Sequence, residues 1–243
     1  MPASSGTHRA GEQRLAGVLA GLQELYLLRL DYTLQAVYAV QRRAAGGSGD
    51  ALGEAVEAVR ELDAAHLRRV NEARLEFFDR LRPHDRPVIA EYRAAVSAVL
   101  GDAAALVIAG GHVGVLAEVL HLFNVAAALN ETTLNGAPVI AWSAGAMALT
   151  DRIVLFGDRS PQGPGHPEVY GSGLSLLRDV VLLPHARARL LLDDTPRMAV
   201  FARRFAPARC ILLDSGTRVD SEGTGPPFRV LGEDGHVTAL EAA

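Results

Sequence analysis

The stretch Val139-Ile140-Ala141-Trp142-Ser143-Ala144-Gly145-Ala146 decides how this chain is read. Pro138 to Trp142 has the short, β-branched and aromatic character of a buried strand, and Ser143-Ala-Gly-Ala opens a helix to about Leu149. Ser143 stands at the junction. A strand that turns sharply into a helix holds the residue at the turn on a strained backbone with its side chain exposed. Crowding at such a turn demands small neighbours, which Ala141, Ala144 and Gly145 supply. The helix N-terminus favours developing negative charge, and the Ala144 N–H is placed to donate to an oxyanion. The plainer reading is a serine that only caps a helix. The small-x-Ser-x-Gly pattern is met with Ala141 in place of its usual first glycine.

The flanking sequence favours chemistry. Upstream, the apolar run Ala103–Ala109 suits a buried parallel strand and ends in Gly110-Gly111, a tight turn that can turn a second backbone N–H toward the same oxyanion. Residues 113–129 read as a helix between the two strands. Downstream, Ile153–Phe156 and Val180–Leu183 are strand-like, 157–175 has the Gly, Pro and Ser content of a loop or lid, and Ala186–Arg204 is helical. Short strands follow at Arg209–Leu213, Arg218–Val219, Phe228–Val230 and His236–Leu240. Alternation of strand and helix argues for an α/β fold with a mostly parallel sheet flanked by helices.

A serine nucleophile needs a base, and usually a carboxylate to hold that base in the right tautomer. Of eight histidines, His185 is best placed, directly after the strand Val180–Leu183 and so at a carboxyl edge of the sheet. Asp158 lies between Ser143 and His185 and gives the chain order Ser, Asp, His; Asp151 and Asp179 compete for the third role.

The first hundred residues have a different pattern. Residues 1–10 are small and polar and are expected to fray. From 12 to 44 apolar residues recur at helical spacing: Leu15, Val18, Leu19, Leu22, Leu25, Leu28, then Leu34, Val37 and Tyr38. A breaker at Gly46-Gly47-Ser48-Gly49-Asp50 separates a second helix ending near Pro83, and Pro87–Leu100 reads as a third. The expected organisation is a helical region over 1–100 and an α/β region over 101–243, packed as one composite domain. Two roles are open for the helices: a cover over a sheet edge, or a hairpin joining two copies in a homodimer.

Composition narrows the chemistry. The chain has 243 residues, 28 of them acidic and 24 basic, a formal charge of −4 that gives no reason to expect nucleic acid or an anionic membrane as partner. Every basic residue is arginine, so a lysine Schiff base or lysine general base is excluded. The single Cys210 excludes an internal disulfide and any multi-cysteine metal site, and fits a reducing cytoplasm. No signal peptide is read at the start, and the most apolar stretch, 103–129, is too polar and broken for a membrane span.

The run Ala141-Trp142-Ser143-Ala144-Gly145-Ala146, with Gly110-Gly111 before it and Leu182-Leu183-Pro184-His185 after it, resembles the aspartyl dipeptidase/cyanophycinase family of serine peptidases. Leu212-Leu213-Asp214-Ser215-Gly216-Thr217 is similar to that family's strand and turn after the histidine helix, so the resemblance spans roughly 101–220. It implies a class I glutamine amidotransferase-like fold with Ser in place of the nucleophilic Cys. By position it implies Ser143 as nucleophile, His185 as general base and Asp158 as third member. It also implies oxyanion-hole N–H groups from Gly111 and Ala144, and a pocket drawing on Gly110, His112, Trp142 and Arg189. The implied reaction is hydrolysis of a peptide or isopeptide bond in a small substrate through an acyl-enzyme, with no metal or cofactor; the alternative is a non-catalytic relative of the family that acts in assembly or partner binding through its N-terminal helices. His112 stands where the family usually has Asn or Gln, and Ala186 where an aromatic is common. The helical first hundred replaces the family's leading strand–helix units, so its preference for acidic residues is not carried over.

Overall fold

A computed structural model describes residues 4–44, 49–134, 136–158, 165–232 and 239–240. The chain forms two compact units, residues 1–82 and 83–243.

The first unit is a helical hairpin. Helix α1 (Ser4–Ala44) is followed by α2 (Gly49–Leu81). The helix starts at Ser4, so most of the segment expected to fray is helical; of the expected breaker, residues 46–48 lie outside the described residues, while Gly49 and Asp50 begin α2. Tyr26, Leu30, Leu34 and Val37 of α1 are buried, as are Val56, Val59, Leu62 and Val70 of α2. With the buried His66 between Leu62 and Val70, these residues recur every three or four positions, the spacing of one helix face. Polar groups are set into this seam: Tyr26 Oη donates to Asp63 Oδ1 at 2.8 Å, and the Tyr26 ring stacks on His66 with centroids 4.0 Å apart. A buried tyrosine and aspartate are tolerable because each satisfies the other.

The second unit begins with a 3₁₀ turn at Pro83–Asp85 and α3 (Pro87–Gly101). The sequence assigned α3 to the helical region; in the structure it belongs to the second unit, where Leu100 joins the core of Ile108, Val125, Ala128 and Leu129. Then come β1 (Leu106–Ile108), α4 (Val113–Leu122), α5 (Val125–Leu134), β2 (Val139–Ala141) and α6 (Ala144–Leu149). The single helix expected over 113–129 is broken because Asn124 takes a left-handed φ of 53°, which asparagine tolerates better than most residues. Strands β3 (Ile153–Leu155) and β4 (Glu168–Gly171) pair antiparallel, so part of the expected 157–175 loop is a strand; residues 159–164 lie outside the described residues.

Next are β5 (Val180–Pro184), α7 (Ala186–Arg189) and α8 (Thr195–Phe205). The helix expected over 186–204 is divided because Pro196 has no N–H to continue it and Asp194 caps a fresh start, accepting from Arg197 N at 3.1 Å. The chain ends with β6 (Arg209–Leu213), β7 (Arg218–Asp220), β8 (Arg229–Leu231) and β9 (Ala239–Leu240).

Strand and helix are mixed, as expected, but the described strands form four small sheets rather than one continuous parallel sheet. Two pairs are parallel and carry the site: β1 with β2, and β5 with β6. Val107 and Ile140, partners in register on β1 and β2, are 56% and 52% exposed. One face of this pair is therefore open, whereas parallel strands are usually covered on both faces. Among the described residues, no helix is long and apolar enough to cross a membrane.

Candidate active site

The register of β1 on β2 makes the two strands end together: Leu106 lies opposite Val139 and Ile108 opposite Ala141. Trp142 N extends the ladder by donating to Ile108 O at 3.3 Å. Gly110-Gly111 and Trp142-Ser143 thus leave the same sheet edge side by side. A Cβ on Gly110 would lie 3.0 Å from Ser143 Cβ and 3.2 Å from Ser143 Oγ. A side chain on Gly110 would therefore crowd the serine hydroxyl and displace it by a few tenths of an ångström. Gly145 is constrained more severely, since a Cβ there would run into the carbonyl oxygens of Ile108 and Ala109. The first turn of α6 is seated directly on the end of β1.

Ser143 has φ 54° and ψ −126°, a combination that is costly for any residue with a Cβ. Its side chain makes no capping bond to α6. A serine placed only to cap a helix would sit in the extended region with its oxygen on an N–H of the first turn. Ser143 does neither. Instead its strained backbone holds the hydroxyl against Gly110, while Gly145 N donates to Trp142 O and Met147 N to Ser143 O. Neither bond uses the Ala144 N–H. Gly111, with φ 149°, takes a conformation that favours glycine and aims its peptide where other residues could not. His112 caps α4, its Nδ1 accepting from Val115 N at 3.3 Å. Trp142 is half exposed beside the elbow.

Helix α6 connects the elbow to the second parallel pair, for Ala146 packs in one core with Val180, Leu182 and Ile211. His185 follows β5 directly, exposed, with a left-handed backbone and its N–H donating to Leu213 O at 3.1 Å. The adjacent strand β6 ends in Asp214, whose carboxylate accepts the Arg187 N–H at 3.2 and 3.3 Å and so fixes the turn carrying His185.

Asp158 is fully buried and is held from several sides. Its carboxylate takes the Arg197 guanidinium and the Leu191 N–H at 3.1 Å, and its own N–H donates to Arg189 O at 2.8 Å. Arg197 also donates to Gly165 O at 2.8 Å. Asp158 is thereby tied to the segment that follows His185, and not to the histidine ring. No hydrogen bond joins His185 to Ser143 Oγ or to Asp158 in this structure. Catalytic hydrogen bonds are commonly loose before substrate binds. Arg189 lies at the surface with its guanidinium 5.8 Å from the Phe156 ring centroid. Arg197 was not found by sequence reasoning, because an ion pair spanning 39 residues leaves no local pattern; Asp214 entered the sequence reading only within the family-like strand and turn, with no role of its own.

A strained serine elbow beside a glycine turn, with a histidine at the end of a parallel strand, defines a hydrolase-like site. Residues 83–225 match the model of Peptidase family S51, more than half of the chain, and the protein belongs to that family of serine peptidases. The match begins at the first residue of the second unit, so the helical hairpin lies wholly outside it. Among curated proteins, none matches the chain.

Proposed function

We propose that this protein is a serine peptidase that hydrolyses a peptide or isopeptide bond in a small substrate, and that its second unit is a reduced version of the class I glutamine amidotransferase-like fold. The observation that carries the reading is the backbone of Ser143: strained, uncapping, and pressed against Gly110. Strain of this kind is kept where the surrounding structure pays for it and function uses it.

In the proposed reaction His185 takes the proton of Ser143 Oγ as the oxygen attacks the scissile carbonyl. The oxyanion is received by the N–H groups of Gly111 and Ala144. His185 then gives its proton to the leaving amine, and a water deprotonated by the same ring hydrolyses the acyl-enzyme and regenerates the serine. Gly110, His112, Trp142 and Arg189 form the pocket in this reading, with the half-exposed Trp142 offering an apolar wall. Asp158 is assigned a positioning role, because its carboxylate is committed to Arg197 and the Leu191 N–H. A cytoplasmic setting is proposed from the lone, buried Cys210.

A fluorophosphonate probe tests this directly. The wild-type protein is expected to be labelled, and Ser143→Ala, folded by circular dichroism, is expected not to be. Absence of labelling in the folded wild type refutes the reading.

A further inference from the structure

Helix α1 uses one face for the hairpin seam and carries a second apolar face that the hairpin does not cover. Val18, Leu25, Leu28 and Tyr32 are 45%, 49%, 57% and 66% exposed. Their spacings of seven, three and four, with Gly21 filling the gap, form a heptad seam in which Val18, Leu25 and Tyr32 occupy position a and Gly21 and Leu28 position d. Two glycines lie along it. A Cβ on Gly17 or Gly21 would meet nothing within 4 Å, so neither is required by packing inside the hairpin. Glycine inside a helix is unfavourable by about 1 kcal/mol relative to alanine, and close approach of another backbone is one use for it.

The charges beside the seam indicate what covers it. Glu24 and Arg29 occupy positions g and e, on opposite sides of the apolar stripe. Being five residues apart they are not neighbours on their own helix, where pairing runs three or four residues apart. In a parallel two-stranded coil, a residue at g faces the e position five residues on in the other strand. Glu24 then meets Arg29 of a second copy, and two-fold symmetry makes the contact twice. An antiparallel pairing would instead set Glu24 near Glu24 and Asp31 of the other copy, which repel.

We propose that two copies of this chain associate through α1, in parallel, along the stripe from Val18 to Tyr32. The stripe is about 21 Å long. Such a contact is smaller than the ~800 Å² per partner of a standard interface, so the dimer is expected to dissociate with a constant on the order of micromolar. The proposal is independent of the serine chemistry, which lies in the other unit.

Sedimentation equilibrium of the full chain between about 1 and 200 µM tests it. The wild type is expected to pass from one chain mass to two. Leu25→Glu is expected to stay monomeric with its helicity unchanged. Glu24→Arg is expected to weaken the dimer about tenfold, and Glu24→Arg with Arg29→Glu to restore it, since the swap re-forms both pairs. Gln35→Cys, one turn beyond Tyr32 at position d, is expected to cross-link to itself under oxidation. A wild type that is monomeric throughout, or a dimer that ignores Glu24→Arg, overturns the proposal. A dimer in which Gln35→Cys does not cross-link overturns the parallel arrangement.

Discussion

The buried pair Asp158–Arg197 offers a test that separates a positioning residue from a catalytic one. The Asp158 side chain is 0% exposed and the Arg197 side chain 15%. The two halves of the pair should therefore not be equivalent. Arg197→Leu strands a fully buried carboxylate with only the Leu191 N–H at 3.1 Å, and a charge left buried in this way costs about 3–5 kcal/mol. Asp158→Asn leaves Arg197 bonded to Gly165 O at 2.8 Å and with an edge near solvent, so its cost is about 1–3 kcal/mol. Replacing both residues by leucine removes both charges and should cost less than Arg197→Leu alone, with a coupling of about 1–3 kcal/mol in the double-mutant cycle. Urea unfolding followed by Trp142 fluorescence measures this, because the only tryptophan lies in the second unit and does not report on the helical hairpin. An Arg197→Leu variant within about 0.5 kcal/mol of wild type would refute the reasoning.

The same variants decide the chemistry. If Asp158 acts by holding the segment after His185, Asp158→Asn and Arg197→Leu should slow fluorophosphonate labelling to similar degrees, and cooling should recover much of the loss. If Asp158 instead orients the histidine ring, Asp158→Asn alone should depress the rate by roughly 10⁴, as loss of an orienting carboxylate does in serine proteases. Arg197→Leu would then act mainly on stability.

Three further outcomes are expected. Ser143→Gly relieves a backbone that glycine accepts freely, so the second unit should gain about 1–3 kcal/mol in the same urea assay while labelling disappears. Gly145→Ala sets a methyl against the backbone oxygens of Ile108 and Ala109, which cannot rotate away; a loss of about 1–3 kcal/mol is expected, and an unchanged midpoint would contradict the seating of α6 on β1. Burial pushes the Cys210 thiol from 9.0 up to about 12, so the native state holds its proton where the unfolded chain has lost it. That contribution is intact below pH 9.0 and is lost as pH rises toward about 12, at about 1.4 kcal/mol per pH unit. Cys210→Ala should flatten the alkaline slope of stability by that amount.

What the sequence disclosed is tied to how local each feature is. The elbow was legible because crowding at a strand-to-helix turn acts on adjacent residues, leaving Ala141, Ala144 and Gly145 as its trace. The helical hairpin was legible because burial recurs with the helical period over many turns. Chain breaks were harder. The end of α4 depends on Asn124 adopting a positive φ, and the start of α8 on Asp194 receiving an N–H, both outcomes of packing rather than of composition. The extent of the sheet was not legible at all. The ladders join strands far apart in sequence, and they stop at two or three strands where alternation alone suggested one continuous sheet.

The heptad along α1 shows the same limit from the other side. Val18, Leu25 and Leu28 entered the sequence pattern as members of one apolar helix, beside Leu15, Leu19 and Leu22. A period near 3.6 cannot by itself tell one broad buried face from two faces serving different partners. Only exposure separates them: Tyr26 and Leu30 are 3% and 1% exposed, while their neighbours Leu25 and Leu28 are 49% and 57% exposed. The hairpin seam has already taken the first set, so the second is surplus to the folding of this unit. A helix face that leaves Val18, Leu25, Leu28 and Tyr32 exposed, with two glycines beside them and complementary charges at the flanks, is stabilised by whatever covers that face. Leu25→Glu should therefore leave the isolated fold intact and act on association alone, whereas Leu30→Glu, five residues on and on the buried face, should unfold the hairpin.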